Sequence, residues 1–319
     1  MHIAFIGQKG IDLGEKSGGV EQHVGKLASG LLNLEHKVTV YARSRYSTSA
    51  HEDHEQVRVL FLPTIYLKNL EAIIHTFLST LHALFQPYDI IHYHGVGPAT
   101  LSWIPRLLKR RARVIVTFHS QDRFHRKWGL FARLYLHFGE VASCWFPHAA
   151  IAVSHVTQVY ARKHYRRQIV FIPNGATVQH VSSDSELSEF DLESGEYVLN
   201  VSRLVPHKGQ HYLIQAFKQL DTNKKLVLVG APSYTLDYLR ELKALAGNDP
   251  RIMFTGFQSG ETLKQLFAHA YLYVQPSESE GLPVVVLESM SFGTPVLVSD
   301  IPENLEAMHH AGFSFENTN

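Results

Sequence analysis

The sequence predicts an α/β protein made of two doubly wound parallel-sheet domains. Three observations predict it. Short β-rich runs alternate with helical patterns through the first half; the pattern breaks over a polar, acidic stretch from Thr177 to Glu196; and the alternation then resumes from Tyr197. Alternating β and α runs are the mark of a parallel sheet covered by helices. A polar break with weak periodicity is where a domain boundary belongs. The expected domains are 1–178 and 196–319, joined by a linker at 179–195 and facing each other across a cleft.

The strand candidates of the first domain are Ile3–Ile6, Val38–Tyr41, Val57–Leu62, Ile90–Tyr93, Val114–Phe118, Ala150–Val153 and Val170–Ile172, with helical patterns such as Val20–Leu34 and Leu130–Ala142 between them. The run from Leu67 to Phe85 is the most apolar of the helical stretches. Lys68, Glu71, His75 and His82 interrupt it, so it reads as a core-packed amphipathic helix rather than a membrane span. In the second domain the order is strand Tyr197–Val201, helix Gln210–Leu220, strand Leu226–Val229, helix Leu236–Ala246, strand Ile252–Phe254, helix Glu261–Ala268 and strand Leu272–Val274. A helix opening near Pro283 and ending at Gly293 leads to strand Val296–Val298, Pro suiting a helix's first turn and Gly its end. Gly312–Phe315 is the last strand candidate.

An apolar content of 45% excludes a disordered chain. The net charge of +1 conceals an asymmetry: residues 1–180 hold 21 Lys+Arg against 11 Asp+Glu, and residues 181–319 hold 9 against 18. The basic half suits an anionic membrane surface, a lipid-linked anionic acceptor or nucleic acid, or the two halves attract each other. The cluster Lys109, Arg110, Arg111 and Arg113 is the densest basic run. Cys144 is the single cysteine, so no internal disulfide and no cysteine zinc site can form, as expected for a reducing cytoplasm. The N-terminal MHIAFIG reads as a strand and a glycine turn, not a leader.

The most informative stretch is Ser277–Val298. Glu280 closes a strand beside a helix start, and Glu288 follows eight residues later within the helix. Ligands gather at the C-terminal ends of parallel strands and at helix N-termini. A carboxylate there either binds sugar hydroxyls or forms half of an acid–base pair. Arg203 and Lys208, in NVSRLVPHKG, follow the domain's first strand; two cations there neutralise a diphosphate or are solvated surface charges. Gly18 and Gly19 begin the first helix and either admit a ligand to the backbone or make a tight turn. The spacing of Gly7 and Gly10 is not G-x-G-x-x-G, and the second strand ends without an acidic residue, which argues against a dinucleotide cofactor. His119, closing a strand in VTFHSQD, is placed to hold a hydroxyl or move a proton. His92 and His94 alternate on one strand, but no third ligand stands in register with them, so no metal is expected. Asp-x-Asp, the P-loop and the G-x-S-x-G elbow are absent from the sequence.

Taken in order, GGVEQHV, TFHSQD, the IPNG of Ile172–Gly175, SRLVPHKG and EGLPVVVLE resemble the retaining glycosyltransferases of family 4, with the GT-B fold, along nearly the whole chain. Gln8–Gly10 before GGVEQHV is similar to the subgroup of bacterial surface polysaccharide and glycolipid assembly. The resemblance implies transfer of a sugar from a nucleotide-sugar donor to a hydroxyl acceptor held by the N-terminal domain, with no metal and no cofactor. It implies that Gly18 and Gly19 line the donor phosphates, and that Arg203 and Lys208 bind the diphosphate. Glu280 would hold the donor sugar, with the backbone of Gly281 and Leu282 behind it, and Glu288 the ribose. His119 would meet the sugar near its reacting carbon, and the Gly256–Phe257 backbone the base. A donor phosphate oxygen would take the acceptor's proton, making Glu280 a positioning group. The loop GAPSY departs from the family, which often has a second glycine there. The family also continues past the equivalent of Asn319 with a helix returning to the first domain, so weakened closure and low activity are expected of this chain. A sugar-nucleotide epimerase, a phosphorylase and a non-catalytic sugar-nucleotide-binding protein are the alternatives. A cytoplasmic location, on or near the inner membrane face, follows.

Overall fold

The computed structural model describes the chain from Met1 to Asn319 except residues 12–13, 15–16, 47–56, 66, 68–69, 122, 124–128 and 234. Asp122 of TFHSQD, Tyr234 of GAPSY and part of the glycine-rich run before Gly18 therefore lie outside the described residues. The chain forms two compact units, Met1–Asn174 and Gly175–Asn319.

The first unit contains strands β1 (His2–Ile6), β2 (Lys37–Arg43), β3 (Arg58–Leu62), β4 (Ile90–His94), β5 (Arg113–Phe118), β6 (Ala149–Ala152) and β7 (Val170–Phe171). Its helices are α1 (Gly19–Asn33), α2 (Glu71–Leu84), α3 (Val96–Ala99), α4 (Trp103–Leu108), α5 (Leu130–Trp145) and α6 (His155–Tyr165). The sheet is parallel, in the order β3-β2-β1-β4-β5-β6-β7. Alternation along β1 divides the core. Ile3 and Phe5 pack beneath α1 with Val24 and Ala28, and Ala4 and Ile6 face the opposite side with Ala83 of α2 and Ala99 of α3. On that side α5 lies against α3, so close that a Cβ on Gly139 would stand 2.3 Å from the Val96 carbonyl oxygen.

The second unit contains β8 (Tyr197–Val201), β9 (Lys225–Val229), β10 (Ile252–Gly256), β11 (Leu272–Gln275), β12 (Val296–Ser299) and β13 (Phe313–Phe315). Its helices are α7 (Gln210–Lys218), α8 (Leu236–Ala246), α9 (Gly260–Ala268), α10 (Val284–Ser291) and α11 (Pro302–Met308). This sheet is also parallel, ordered β10-β9-β8-β11-β12-β13. Ile214 and Phe217 of α7 pack with Tyr238 and Leu242 of α8 on one face; Leu266, Val286 and Met308, from α9, α10 and α11, fill the other. The stretch read as a linker carries a 3₁₀ turn, Ser185–Phe190, whose Leu187 is buried in that second core. Leu192 is buried there too and Phe190 packs against that core, apolar anchors that the polar run around them hid.

The Leu67–Phe85 run packs on the sheet as an amphipathic helix should, by a face the sequence did not indicate. Within this run, whose Lys68 and Asn69 lie outside the described residues, Glu71–Leu84 forms the amphipathic helix α2, and its buried side is the polar one. His75, Thr76, Ser79 and Thr80 face the sheet, while Phe77, Leu81 and Phe85 are exposed. The reason lies beneath the helix: the Ala42 carbonyl meets His75 Nε2 at 3.0 Å and the Tyr93 hydroxyl meets Thr80 Oγ1 at 2.9 Å. Burying His75, Thr76 and Thr80 is tolerated because each has a partner, Thr76 Oγ1 donating to the Ala72 carbonyl at 2.7 Å; Ser79 Oγ is buried without one among the described residues.

The Gly139 contact gives a direct test. Gly139→Ala is expected to destabilise the first unit by about 1–3 kcal/mol, the usual cost of overpacking a tight site. Gly30→Ala, on the exposed side of α1 with open space around it, is expected to stabilise by roughly 0.5–1 kcal/mol. Urea unfolding of both variants measures the difference, and equal effects would refute the close packing of α3 on α5.

Candidate functional site

Strand order decides where each unit can bind a ligand. In the second sheet the order reverses between β8 and β11, and the helices that follow these strands pack on opposite faces. Their loops part at the strands' C-terminal ends and leave a crevice there. Lys208 stands on the loop after β8, in the 3₁₀ turn Pro206–Lys208, and Glu280 on the loop after β11. Their side chains meet across the reversal, Nζ to Oε1 at 2.5 Å, and each is about a tenth exposed. Gln275, the last residue of β11, donates to the same oxygen at 2.7 Å and to Ser277 Oγ at 2.8 Å. Burial disfavours a charged Glu280, but the Lys208 ammonium and the hydrogen bonds from Lys208, Ser277 and Gln275 outweigh it, so the carboxyl titrates below its usual range.

The two loops meet so closely that only glycine fits at 209. Gly209 has φ +71°, and a Cβ there would lie 1.9 Å from the Pro276 carbonyl oxygen. Glu278 N–H donates to the His207 carbonyl at 2.9 Å and completes the join. Beneath it Gln210 donates to Ser202 Oγ at 2.6 Å and to the Arg203 carbonyl at 3.0 Å. Tyr273 is buried under the site: burial, then the charges of Glu280 and Glu288, raise its phenol well above the ordinary range. Glu303 of α11 is a third carboxyl near them, raised first by burial and further by the charge of Glu280.

The remaining expected residues of this unit spread around that centre. Glu288 is half-buried in α10. Gly281 and Leu282 form the entry to α10, with Leu282 packed against the core. Gly256 ends β10 with φ +72°, and its carbonyl accepts from Gly230 N–H at 2.8 Å; Phe257 beside it is exposed. Arg203 is exposed and, among the described residues, makes no contact with Glu280.

The first sheet reverses between β1 and β4, and there a histidine cluster gathers. His119, immediately after β5, is buried and its Nε2 lies 3.2 Å from Nδ1 of His94, the last residue of β4. His23 of α1 packs edge-on against both rings, and its Nδ1 lies 2.7 Å from Asn174 Oδ1 in the IPNG segment. His92 meets Thr117 Oγ1 at 2.7 Å. The set with ligand spacing is therefore not built on the His92–His94 pair: it takes His94 alone from β4 and leaves out His92. His23, His94 and His119 place ligand nitrogens within 4.8 Å of one another, and the buried Nε2 atoms of His23 and His94 have no hydrogen-bond partner among the described residues. Burial keeps these rings neutral. It pushes His92 down to about 3, and His94 and His119 well below the usual imidazole value, with the neighbouring histidines adding to the effect. Neutral imidazoles can hold a hydroxyl, relay a proton or ligate a divalent transition metal.

At the start of α1 the structure adds a residue the sequence reading missed. Glu21 is buried and accepts from Gly18 N–H at 2.9 Å and Lys9 N–H at 3.1 Å. The amide of Gly18 is therefore taken by the chain's own carboxylate, and Gly19 stays exposed with open space around its Cα. The T/S-x-x-E capping pattern normally signals such a glutamate; glycine in place of the serine concealed it here.

The family model "Glycosyltransferase Family 4" matches residues 17–180, and "Glycosyl transferases group 1" matches residues 185–319. Over 115 residues the chain is 39% identical to an uncharacterized glycosyltransferase of Methanocaldococcus jannaschii, covering 35% of this chain and 29% of that protein. A second uncharacterized glycosyltransferase of that organism is 24% identical over 292 residues, 89% of this chain and 76% of the relative. O-antigen chain mannosyltransferase B of Escherichia coli is 30% identical over 130 residues, 40% of this chain and 34% of the relative. For the first and third of these, the matched stretch is about a third of the relative's own length. Among solved structures, HepE of Anabaena with UDP and glucose superposes with TM-score 0.79 at 22% identity, covering 99% of this chain and 86% of that one. Sucrose-phosphate synthase of Thermosynechococcus elongatus superposes with TM-score 0.83 at 21% identity, covering 100% and 86%.

The histidine cluster fixes the sign of a pH dependence. Rings neutral in the fold charge in the unfolded chain below the ordinary imidazole pKa of about 6.5, so the unfolded state binds more protons. Their stabilising contribution is complete above about pH 6.5 and declines toward the folded value of about 3 for His92, by about 1.4 kcal/mol per pH unit for each ring that stays neutral. Urea midpoints measured from about pH 7.5 to about 5 should fall, and His92→Gln should flatten the slope. A midpoint unaffected by pH in both proteins would contradict the buried neutral state.

Proposed function

The chain belongs to glycosyltransferase family 4 with the GT-B fold, and from that premise we propose that it moves a sugar from a nucleotide-sugar donor to a hydroxyl acceptor in surface polysaccharide or glycolipid assembly, with retention and without a metal. The observation that carries the donor side is the Lys208–Glu280 pair at the strand-order reversal of the second sheet. Breaking a sugar–phosphate bond builds negative charge on the leaving diphosphate, and a preorganised ammonium stabilises it. Glu280 aims that ammonium and keeps its second oxygen for sugar hydroxyls. Arg203, exposed beside the same loop, supplies a second cation, and Glu288 takes the ribose. The backbone after Gly256 meets the base, and Gly281 and Leu282 back the sugar.

In the first unit, the buried neutral His119 is suited to accept or donate a hydrogen bond to a sugar hydroxyl without competing for the leaving group's charge. Gly19 offers an open backbone there, whereas Gly18 contributes through the turn, its amide being held by Glu21. We assign the acceptor to this unit. The match to an O-antigen mannosyltransferase supports the polysaccharide reading, and the neighbour solved with UDP and glucose supports a nucleotide-sugar donor. On this scheme no side chain attacks the sugar. The acceptor oxygen forms its bond on the face that the diphosphate leaves, a phosphate oxygen takes the acceptor's proton, and the nucleoside diphosphate departs with the bonding pair.

Thermal-shift titration with UDP-, GDP-, dTDP- and ADP-sugars should raise the midpoint with one of them, since a ligand bound only by the folded state stabilises it by mass action. No shift at saturating concentration of any of the four would sink the donor site. Glu280→Gln should lower turnover roughly 100-fold while leaving nucleoside diphosphate affinity within about threefold of the parent, a split that separates positioning from binding. Equal loss of both would show that the carboxylate serves nucleotide binding alone. Turnover in EDTA and the anomeric configuration of the product by NMR test the metal-free and retaining parts separately.

A further inference from the structure

The first unit wears its apolar residues on the outside of three neighbouring helices. On α2, Phe77 and Leu81 point outward, with Phe85 just beyond its end; α4 adds Trp103, Leu107 and Leu108. The outer stripe of α5 is Leu130, Phe131, Leu134, Phe138 and Trp145, spaced as one helical face. Phe131 is 88% exposed and Phe85 85%, values far from those of residues that merely border a core. The helices lie on the same side of the sheet: α2 packs on α3 and α4, and α3 on α5, where Tyr135 OH donates to the Gly97 carbonyl at 3.1 Å. Lys109 Nζ fastens the ends of α2 and α4 together, meeting the Leu84 carbonyl at 2.9 Å and the Gln86 carbonyl at 2.5 Å. Phe85, Leu108 and the basic turn after α4 are thereby held at one end of the surface.

Its charge is predominantly positive. The only carboxylates on α2, α4 and α5 are Glu71 and Glu140, and both are buried. Glu71 is paired with Arg43 at 3.3 Å, and Glu140 with Arg123 at 3.0 Å and with the hydroxyls of Tyr160 and Tyr165. Asp89, at the start of β4, accepts from the His2 backbone N–H at 2.7 Å. Arg106, Arg110, Arg111, Arg113 and Arg133 are exposed around the apolar residues, and Arg167 stacks on Trp145 at 5.2 Å. Large apolar and aromatic groups on the outside, rimmed by arginines that outweigh the exposed Asp89 beside Arg113, match the chemistry of an anionic bilayer surface, whose headgroups take the cations and whose acyl boundary takes the rings. A second copy of the chain fits less well, because a two-fold contact sets the same basic patch against itself.

We propose that the outer faces of α2, α4 and α5, with the arginines around them, form a docking surface for an anionic lipid bilayer. It rests on this unit alone and stands whatever sugar the enzyme transfers. No helix among the described residues is long and apolar enough to cross a membrane, so the contact is peripheral. Flotation of the whole chain with vesicles of phosphatidylcholine, or of phosphatidylcholine with phosphatidylglycerol, tests it. Binding is expected to the second and not the first, and to weaken as salt is added. Arg110→Ala with Arg111→Ala should lower the partition coefficient about 25-fold, at about fivefold for each basic residue near an anionic surface. Phe85→Ser with Phe131→Ser should lower it further, while near-ultraviolet circular dichroism and the unfolding midpoint stay those of the parent. Flotation equal on both vesicles, or none on either, overturns the proposal. So does a dimer in solution that Phe131→Ser dissociates while vesicles fail to bind, because that assigns the surface to a second copy.

Discussion

The close approach of Gly209 to the Pro276 carbonyl is the constraint on which the second unit's site depends. Parallel strands that reverse their order leave two loops running to opposite faces of the sheet. Left to themselves such loops part. Here a residue without a Cβ lets one rest on the other, and the backbone bond from Glu278 to His207 fixes the register. Lys208 and Glu280, seventy-two residues apart in sequence, then meet at 2.5 Å without either backbone being forced. A larger residue at 209 would separate the loops before it touched either charged group, so the ion pair depends on the glycine more than on its own attraction.

The two units fill equivalent places in their sheets with opposite electrostatics. The second unit places a salt-bridged, nearly dry carboxylate at the reversal; the first places neutral imidazoles there. Taking ions out of water costs more than a surface pair returns, so a buried ion pair is poor evidence of stability for its own sake. The Lys208–Glu280 pair makes sense as a group held charged for a charged ligand. The histidines make sense as groups held uncharged. Each imidazole depresses the next by proximity, and burial does the rest, so the rings keep donor and acceptor nitrogens side by side at neutral pH without net charge.

Much of this was legible in the sequence. The alternation of runs gave the strand count and the parallel sheets, because buried parallel strands read as continuous β-branched segments. Glu280, Lys208 and His119 could be found because each follows a strand that ends in a recognisable turn. Their partners could not. Gln275 and Ser277 are ordinary polar residues whose role exists only once β11 and its loop have folded, and His23 joins the histidines from another element altogether. Glu21 hid behind glycine at the position where a serine would have announced a cap. The anchoring of the 179–195 stretch rested on Leu187 and Leu192, with Phe190 against them, scattered within a polar run.

The buried face of α2 was not legible, for a more general reason. A helical apolar period reports that a helix has two faces, and it is silent about which one meets the sheet. That choice is made by the partners below. Strands β2 and β4 present a backbone carbonyl and a tyrosine hydroxyl to α2, and these need His75 and Thr80 more than they need leucine. Once the polar face is drawn inward, the apolar face has nowhere to go but out; α5 buries Leu136 and Cys144 as well as Glu140 and Ser143, yet it too leaves Phe131 and Phe138 exposed. Exposed apolar area of this extent is unfavourable in water at about 25 cal/mol per Å². Two helices on one side of the sheet that leave large apolar residues outside, with every acid on them drawn inside and arginines around them, are the features on which the proposed bilayer contact rests.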